Sequence, residues 1–195
     1  MSNTTLVRAA FVTVALLAAG CGSTHVAATG FIPSGVAMRK QGDMANAWRS
    51  SGLKASEFGK IEIRPVQTPE GDAYGNLTEE QLARCRAVFQ TALNDAFGSG
   101  IGSGGKTLVV NAAITCIKPN QPLRNIAPQT QILKRGYGYA ACEIYATDGA
   151  GGPVVAAFME TTDTTRFGTG KLSETGTAEQ AAANWANSFR DLIRK

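Results

Sequence analysis

The residues GIGSGGKT, Gly100 to Thr107, satisfy the phosphate-loop pattern G-x-x-x-x-G-K-[ST] at every specified position. In that motif backbone N–H groups wrap phosphates, a Lys reaches the outer phosphates and a hydroxyl binds Mg²⁺. A working loop joins a strand to a following helix, whose N-terminal dipole and free N–H groups face the phosphate. Here the order is inverted: a helical pattern ends before Gly98 and a strand pattern begins near Thr107. The stretch therefore reads as a glycine-rich reversal, and no nucleotide is expected. GTGK at Gly168–Lys171 lacks both the spacing and the hydroxyl.

Other chemistry finds little to work with. The one His, His25, lies in a linker-like segment, which removes Ser-His and Cys-His catalysis. No C-x-x-C or H-x-x-x-H spacing suggests a metal. Glu143 and Glu160 are expected to share an exposed sheet face, where paired carboxylates could serve hydrolysis. Solvated polar positions are the commoner reading. The expectation is a protein without catalytic residues, cofactor or metal, and not an enzyme.

The N-terminus carries the sharpest signal. Arg8 precedes the uncharged stretch AAFVTVALLAAG (Ala9–Gly20), and Cys21 follows at once. A charged start, a short apolar stretch and small residues at the cut describe a secretory signal peptide. The stretch is too short for a membrane-spanning helix, which needs about 20 apolar residues. Leu17-Ala18-Ala19-Gly20 before Cys21 resembles a bacterial lipobox, so Cys21 is the expected lipidation site. Gly rather than Asp at position 22 favours the outer membrane. Expected boundaries are a signal peptide over 1–20, a lipidated tether and arm over 21–56, and one periplasmic domain over 57–195. Losing Arg8 turns 19 basic against 15 acidic residues into 18 against 15. That mild excess, without clusters, is no nucleic-acid footprint.

The domain must be built from a few elements. KIEIRPV (Lys60–Val66) alternates as a half-buried strand ending at Pro65. Thr78 with Gln81 forms a capping box opening a helix striped by Leu82, Cys85, Phe89, Ala92, Leu93 and Ala96. TLVVNAAITCI (Thr107–Ile117), a run near Tyr137–Thr147 and one near Val154–Thr161 read as strands. DGAGGP reads as the hairpin loop joining the last two. Thr177 with Gln180 predicts a second capping box, before a helix facing inward with Trp185, Phe189 and Ile193. The order strand-helix-strand-strand-strand-helix predicts an α/β (α+β) two-layer sandwich, a mixed sheet with both helices on one face.

Residue parity places Ile61, Ile63, Leu108, Val110, Ala112, Ile114, Cys116, Cys142, Ile144, Val155, Ala157 and Met159 on the helix face. It leaves Tyr139, Tyr145 and Phe158 on an uncovered face, the candidate interaction surface. A partner could dock there, or the arm with Phe31, Ile32 or Trp48 could cover it. The proline-spotted Asn120–Lys134, with Arg124, is a second exposed candidate. Three thiols remain besides Cys21. A Cys116–Cys142 bridge is the first choice, Cys85 with either is the second, and three reduced thiols the third.

TGFIPSG, KIEIRPV, LTEEQLARCRAVFQTAL, TLVVNAAIT, YAACEIYATDGAGGPVVAAF and NWANSFRDLI occur in that order. This set resembles the proteobacterial lipoprotein family catalogued as domain of unknown function thirty-three thirteen, over about Thr29 to Ile193. The resemblance implies a periplasm-facing outer-membrane lipoprotein without established catalytic residues. Its members tend to carry Asp where Cys116 stands and Ala or Val where Cys142 stands, which favours a bridge particular to this chain. The expected role is contact with an envelope protein, or alternatively binding of an amphiphile or cell-wall fragment. Partner identity and oligomeric state are not legible.

Overall fold

The computed structural model describes residues 28–71, 73–121, 138–163 and 173–195. Cys21 and its surroundings, the 122–137 stretch with Arg124 and Lys134, and GTGK lie outside the described residues.

Among the described residues, a six-stranded mixed sheet carries two α-helices. Strands β1 (Arg39–Lys40), β2 (Ala45–Arg49) and β3 (Phe58–Ile63) precede helix α1 (Glu79–Phe97). Strands β4 (Lys106–Lys118), β5 (Tyr139–Asp148) and β6 (Val154–Asp163) and helix α2 (Gly176–Arg194) follow. The spatial order is β1-β2-β6-β5-β4-β3. β3 and β4 are parallel, as the α1 crossover requires, and β4, β5 and β6 form an antiparallel meander. Gly149 and Gly151 take positive φ in the β5–β6 turn.

Four strands were expected, and the described residues form six. The two additional ones lie in the segment read as tether and arm. In β2, ANAWR, Ala47 packs into the core while Asn46 and Trp48 point the other way. Alternating small and polar residues carry too little hydrophobic contrast to announce a strand. Backbone pairing to β6 makes it one, from Ala45 opposite Glu160 to Arg49 opposite Ala156. The two-residue β1 leaves a short outer edge, which limits edge-to-edge association.

The α1 capping box forms as expected. Thr78 Oγ1 accepts from the Gln81 N–H at 3.2 Å, and Gln81 Oε1 accepts from the Thr78 N–H at 2.8 Å. The second box does not form. Helix α2 begins at Gly176, after Thr175. Thr177 Oγ1 is buried and accepts from Asn120 Nδ2 at 3.2 Å. Thr177 thus lies within the first turn, past the cap position that Thr175 holds.

Both helices and the sheet share one core. Phe89 and Trp185 meet at 5.4 Å with nearly perpendicular rings, and Trp185 Nε1–H donates to Thr162 Oγ1 at 3.0 Å. Beyond β3 the chain still follows β4: the Gln67 N–H donates to Ala112 C=O, and the Ile114 N–H to Gln67 C=O.

Thr115 is an extra residue in β4. Ile114 lies opposite Cys142, but Cys116 lies opposite Ala141 and Ile117 opposite Ala140. This bulge reverses the facing of the strand's last residues. Tyr74 Oη–H, donating to Ile114 C=O at 2.8 Å, and the Ala73 carbonyl, accepting from the Ile117 N–H at 2.9 Å, flank the irregular step.

Candidate functional site

The glycine-rich loop is fully occupied by its own fold. Gly100 (φ +68°) donates its N–H to Phe97 C=O at 2.7 Å, turning the chain out of α1. Gly102 and Gly104 lie against the backbone of Ala55–Glu57, and the Gly104 N–H donates to Ser56 C=O at 3.0 Å. A Cβ on Gly104 would stand 2.1 Å from Glu57 O, and one on Gly102 2.3 Å from Ala55 O. Lys106 Nζ pairs with Glu57 Oε2 at 2.9 Å and Asp148 Oδ2 at 3.0 Å. The loop leads from a helix C-terminus into a strand, so no helix N-terminus faces a phosphate.

The expected Cys116–Cys142 bridge is absent: Cys85, Cys116 and Cys142 are all free thiols. The bulge puts Cys116 and Cys142 on opposite faces, and strand parity could not anticipate that. Cys142 is fully buried, and burial pushes its thiol well above the ordinary range. Burial also raises Cys85, to about 11. Cys116 is half-buried and raised by burial, partly offset by its hydrogen bond with the Tyr139 side chain. Lys118 Nζ lies 5.8 Å from the centre of the Tyr139 ring.

The candidate interaction face is reshaped. Tyr139 and Tyr145 lie on one face and half-exposed, as expected. Phe158 does not join them. It sits opposite Ile144 and Ala47 within the helix-side core, 4 % exposed. Val155, Ala157 and Met159, expected on the helix side, alternate with Ala156 and Phe158 in a run apolar from Val154 to Met159. Such a run carries no period-two signal, so only pairing with β5 and β2 decides its facing. Trp48, opposite Ala157, takes the place Phe158 was expected to hold.

The carboxylate pair also separates. Glu160 lies opposite Cys142 and Glu143 opposite Met159, which puts the two acids on opposite faces. Glu160 lines a cleft of about 410 Å³ with Asp43, Met44, Phe158, Asp191 and Leu192.

The face that was expected to be uncovered is closed at its centre, where Ala113, Ala141, Glu143 and Ala157 have no exposure. The arm contributes to that closure. Glu143 Oε1 accepts from the Thr29 N–H at 2.7 Å and from Thr29 Oγ1–H at 2.8 Å. Glu143 Oε2 accepts from the Ile32 N–H at 3.0 Å. The Phe31 and Tyr145 rings meet at 5.5 Å, tilted by 59°. A buried acid must find donors, and these come from a segment more than a hundred residues earlier. The composition of TGFIPSG does not specify which side chain it meets.

Among the described residues no group of three or more His, Cys, Asp or Glu could hold a metal, and no helix is long and apolar enough to cross a membrane.

The family described as "Protein of unknown function (DUF3313)" matches residues 30–189. No curated protein matches the chain. Among solved structures, the PelC dodecamer from Paraburkholderia phytofirmans is 10% identical, covering 77% of this chain and 99% of that one, with a TM-score of 0.46. A protein assigned as a lipoprotein from Caulobacter crescentus CB15 is 15% identical, covering 71% and 92%, with a TM-score of 0.38. Likenesses this weak carry no functional inference. The family match spans most of the chain, including the Thr29–Ile32 segment from Gly30 onward, α1, and α2 as far as Phe189, and the chain belongs to this family of unknown function.

Proposed function

We propose that this protein is a lipid-anchored lipoprotein of the outer membrane, facing the periplasm, that works by protein contact rather than catalysis. The observation that carries the anchoring is Leu17-Ala18-Ala19-Gly20 directly before Cys21, after a short apolar stretch. Contact is supported by half-exposed Tyr139, Tyr145 and Trp48 on the face where the N-terminal segment docks. Aromatic side chains give large contact area and are enriched at interfaces. The partner would be an envelope protein.

Radiolabelled fatty acid should label the wild-type chain and not Cys21→Ser. Unlabelled wild type would end the anchoring claim. A photo-crosslinker at position 139 or 145 should give one defined adduct in cells. A monomeric domain with no adduct would end the contact claim.

A second reading rests on the cleft beside Glu160. Phe158 and Leu192 line it beside three acids, Asp43, Glu160 and Asp191, and one base, Lys195, with Asp191 also paired to Arg190. That combination suits an amphiphile or a cell-wall fragment carrying an amine. Native mass spectrometry of protein from its host would show such a ligand as a mass adduct, and its absence after gentle extraction would count against this reading.

A further inference from the structure

We infer that Thr29–Ile32 is a releasable latch on Glu143 that sets the effective length of the membrane tether. The inference builds on the lipid anchor proposed above, but the latch itself rests on geometry alone. Among the described residues, one carboxyl group holds the segment, through three donors that converge on it: the Thr29 N–H, the Thr29 hydroxyl and the Ile32 N–H. Gly30, at φ +88°, gives the turn that brings Thr29 and Ile32 onto the same side chain. Phe31 against Tyr145 is the one ring contact of the segment among the described residues.

The way the latch is held differs from the way its neighbours are held. β2 is paired with β6 at five positions and anchors the chain from Ala45 onward. Between Pro33 and Met38 the backbone bond among the described residues is from the Met38 N–H to Val36 C=O, at 3.0 Å. Gly35, at φ +94°, sits within that stretch. Thr29 to Val36 can therefore lift away as a unit while β1 and β2 remain in the sheet. Segments with few buried contacts open at a small fraction of the global unfolding free energy.

Opening changes the reach of the anchor. Cys21 and Thr29 are eight positions apart. At about 3.3–3.6 Å per residue, the closed latch holds Glu143 within about 30 Å of the lipid. With the latch open the first fixed residue is Arg39, eighteen positions from Cys21. The reach then becomes about 60–65 Å. The same event uncovers Tyr145 and an acid that needs donors. The latch thus couples exposure of the aromatic face to distance from the membrane.

Amide hydrogen exchange on the full chain tests the latch. Wild-type Thr29 and Ile32 amides should be protected, yet exchange faster than those of Ala47 and Trp48. Glu143→Gln should speed Thr29 and Ile32 at least about tenfold and leave Ala47 and Trp48 unchanged. Gly30→Ala is the second variant: its Cβ meets nothing within 4 Å, so it strains the turn without touching the core. Equal rates for latch and β2 in the wild type, or no acceleration in Gly30→Ala, would overturn the inference. Neutron reflectometry of the lipidated chain on a phosphatidylethanolamine–phosphatidylglycerol bilayer tests the tether. The domain should sit within about 30 Å in the wild type and farther out in both variants. An unchanged spacing despite faster exchange would refute the tether role. Failure of the wild type to bind the bilayer would instead remove the anchor reading, leaving the exchange result to decide the latch.

Discussion

Gly104 and Gly105 are adjacent, and the phosphate-loop pattern specifies only the second. The fold demands the opposite preference. Alanine at 104 would place Cβ at 2.1, 2.4 and 2.6 Å from Glu57 O, C and Cα, all of them backbone atoms that no rotamer can move. Forcing them apart costs about 1–3 kcal/mol. Stretching the Gly104 N–H bond to Ser56 C=O adds about 0.5–1.5 kcal/mol. Reduced freedom of the unfolded chain returns about 0.4–1 kcal/mol. Gly104→Ala should therefore destabilise by about 2 kcal/mol and at most about 4. A Cβ on Gly105 meets nothing within 4 Å and its φ is not in the left-handed region, so Gly105→Ala should be neutral or slightly stabilising. At about 2–4 °C per kcal/mol for a domain of this size, the two variants should differ in Tm by roughly 4–16 °C. Differential scanning calorimetry reads that difference, and ATP titration of both variants accompanies it. Equal Tm values would refute the packing argument. Saturable ATP binding lost in Gly105→Ala would restore the phosphate-loop reading.

The Glu57–Lys106–Asp148 cluster predicts a pH profile. The hydrogen bond and charge of Lys106 hold the Glu57 carboxyl below its usual range, and the bonds to Glu57 and Asp148 raise Lys106. A depressed acid stabilises above its unfolded pKa, and that contribution is lost as pH falls through the folded value. A raised Lys stabilises below its unfolded pKa, and loses that as pH rises through its folded value. Lys106→Met should flatten both limbs of a Tm–pH curve and leave folding at neutral pH intact; an unchanged curve would show the cluster contributes nothing. Thiol mapping makes a separate prediction. Native alkylation without reductant should modify half-exposed Cys116 first and spare Cys142 until unfolding, with no Cys116–Cys142 peptide by mass. Detection of that disulfide-linked peptide would refute the opposite facing of Cys116 and Cys142 that the bulge at Thr115 produces.

Sequence by itself determined the elements that announce themselves by strong local pattern. The α1 capping box, the β4–β6 strands, the glycine turn and the inverted context of GIGSGGKT all follow from periodicity and backbone chemistry acting within a few residues. Local pattern also placed Tyr139 and Tyr145 on one face. Tertiary structure alone decided the rest, wherever a residue's fate depends on distant partners. The VVAAFM run has no alternation, so Phe158 enters the core because β5 and β2 fix its register. One inserted residue at Thr115 turns Cys116 away from Cys142. Thr177 lies inside the first turn of α2, where its Oγ1 accepts from Asn120 Nδ2, and Thr175 holds the cap position. Ala45–Arg49 becomes a strand because β6 offers an edge. Glu143, which reads as a solvated surface acid, is buried because Thr29 and Ile32 supply its donors across more than a hundred residues of chain. Periodicity reports a residue's immediate neighbours, whereas facing, register and the satisfaction of a buried acid depend on the whole fold.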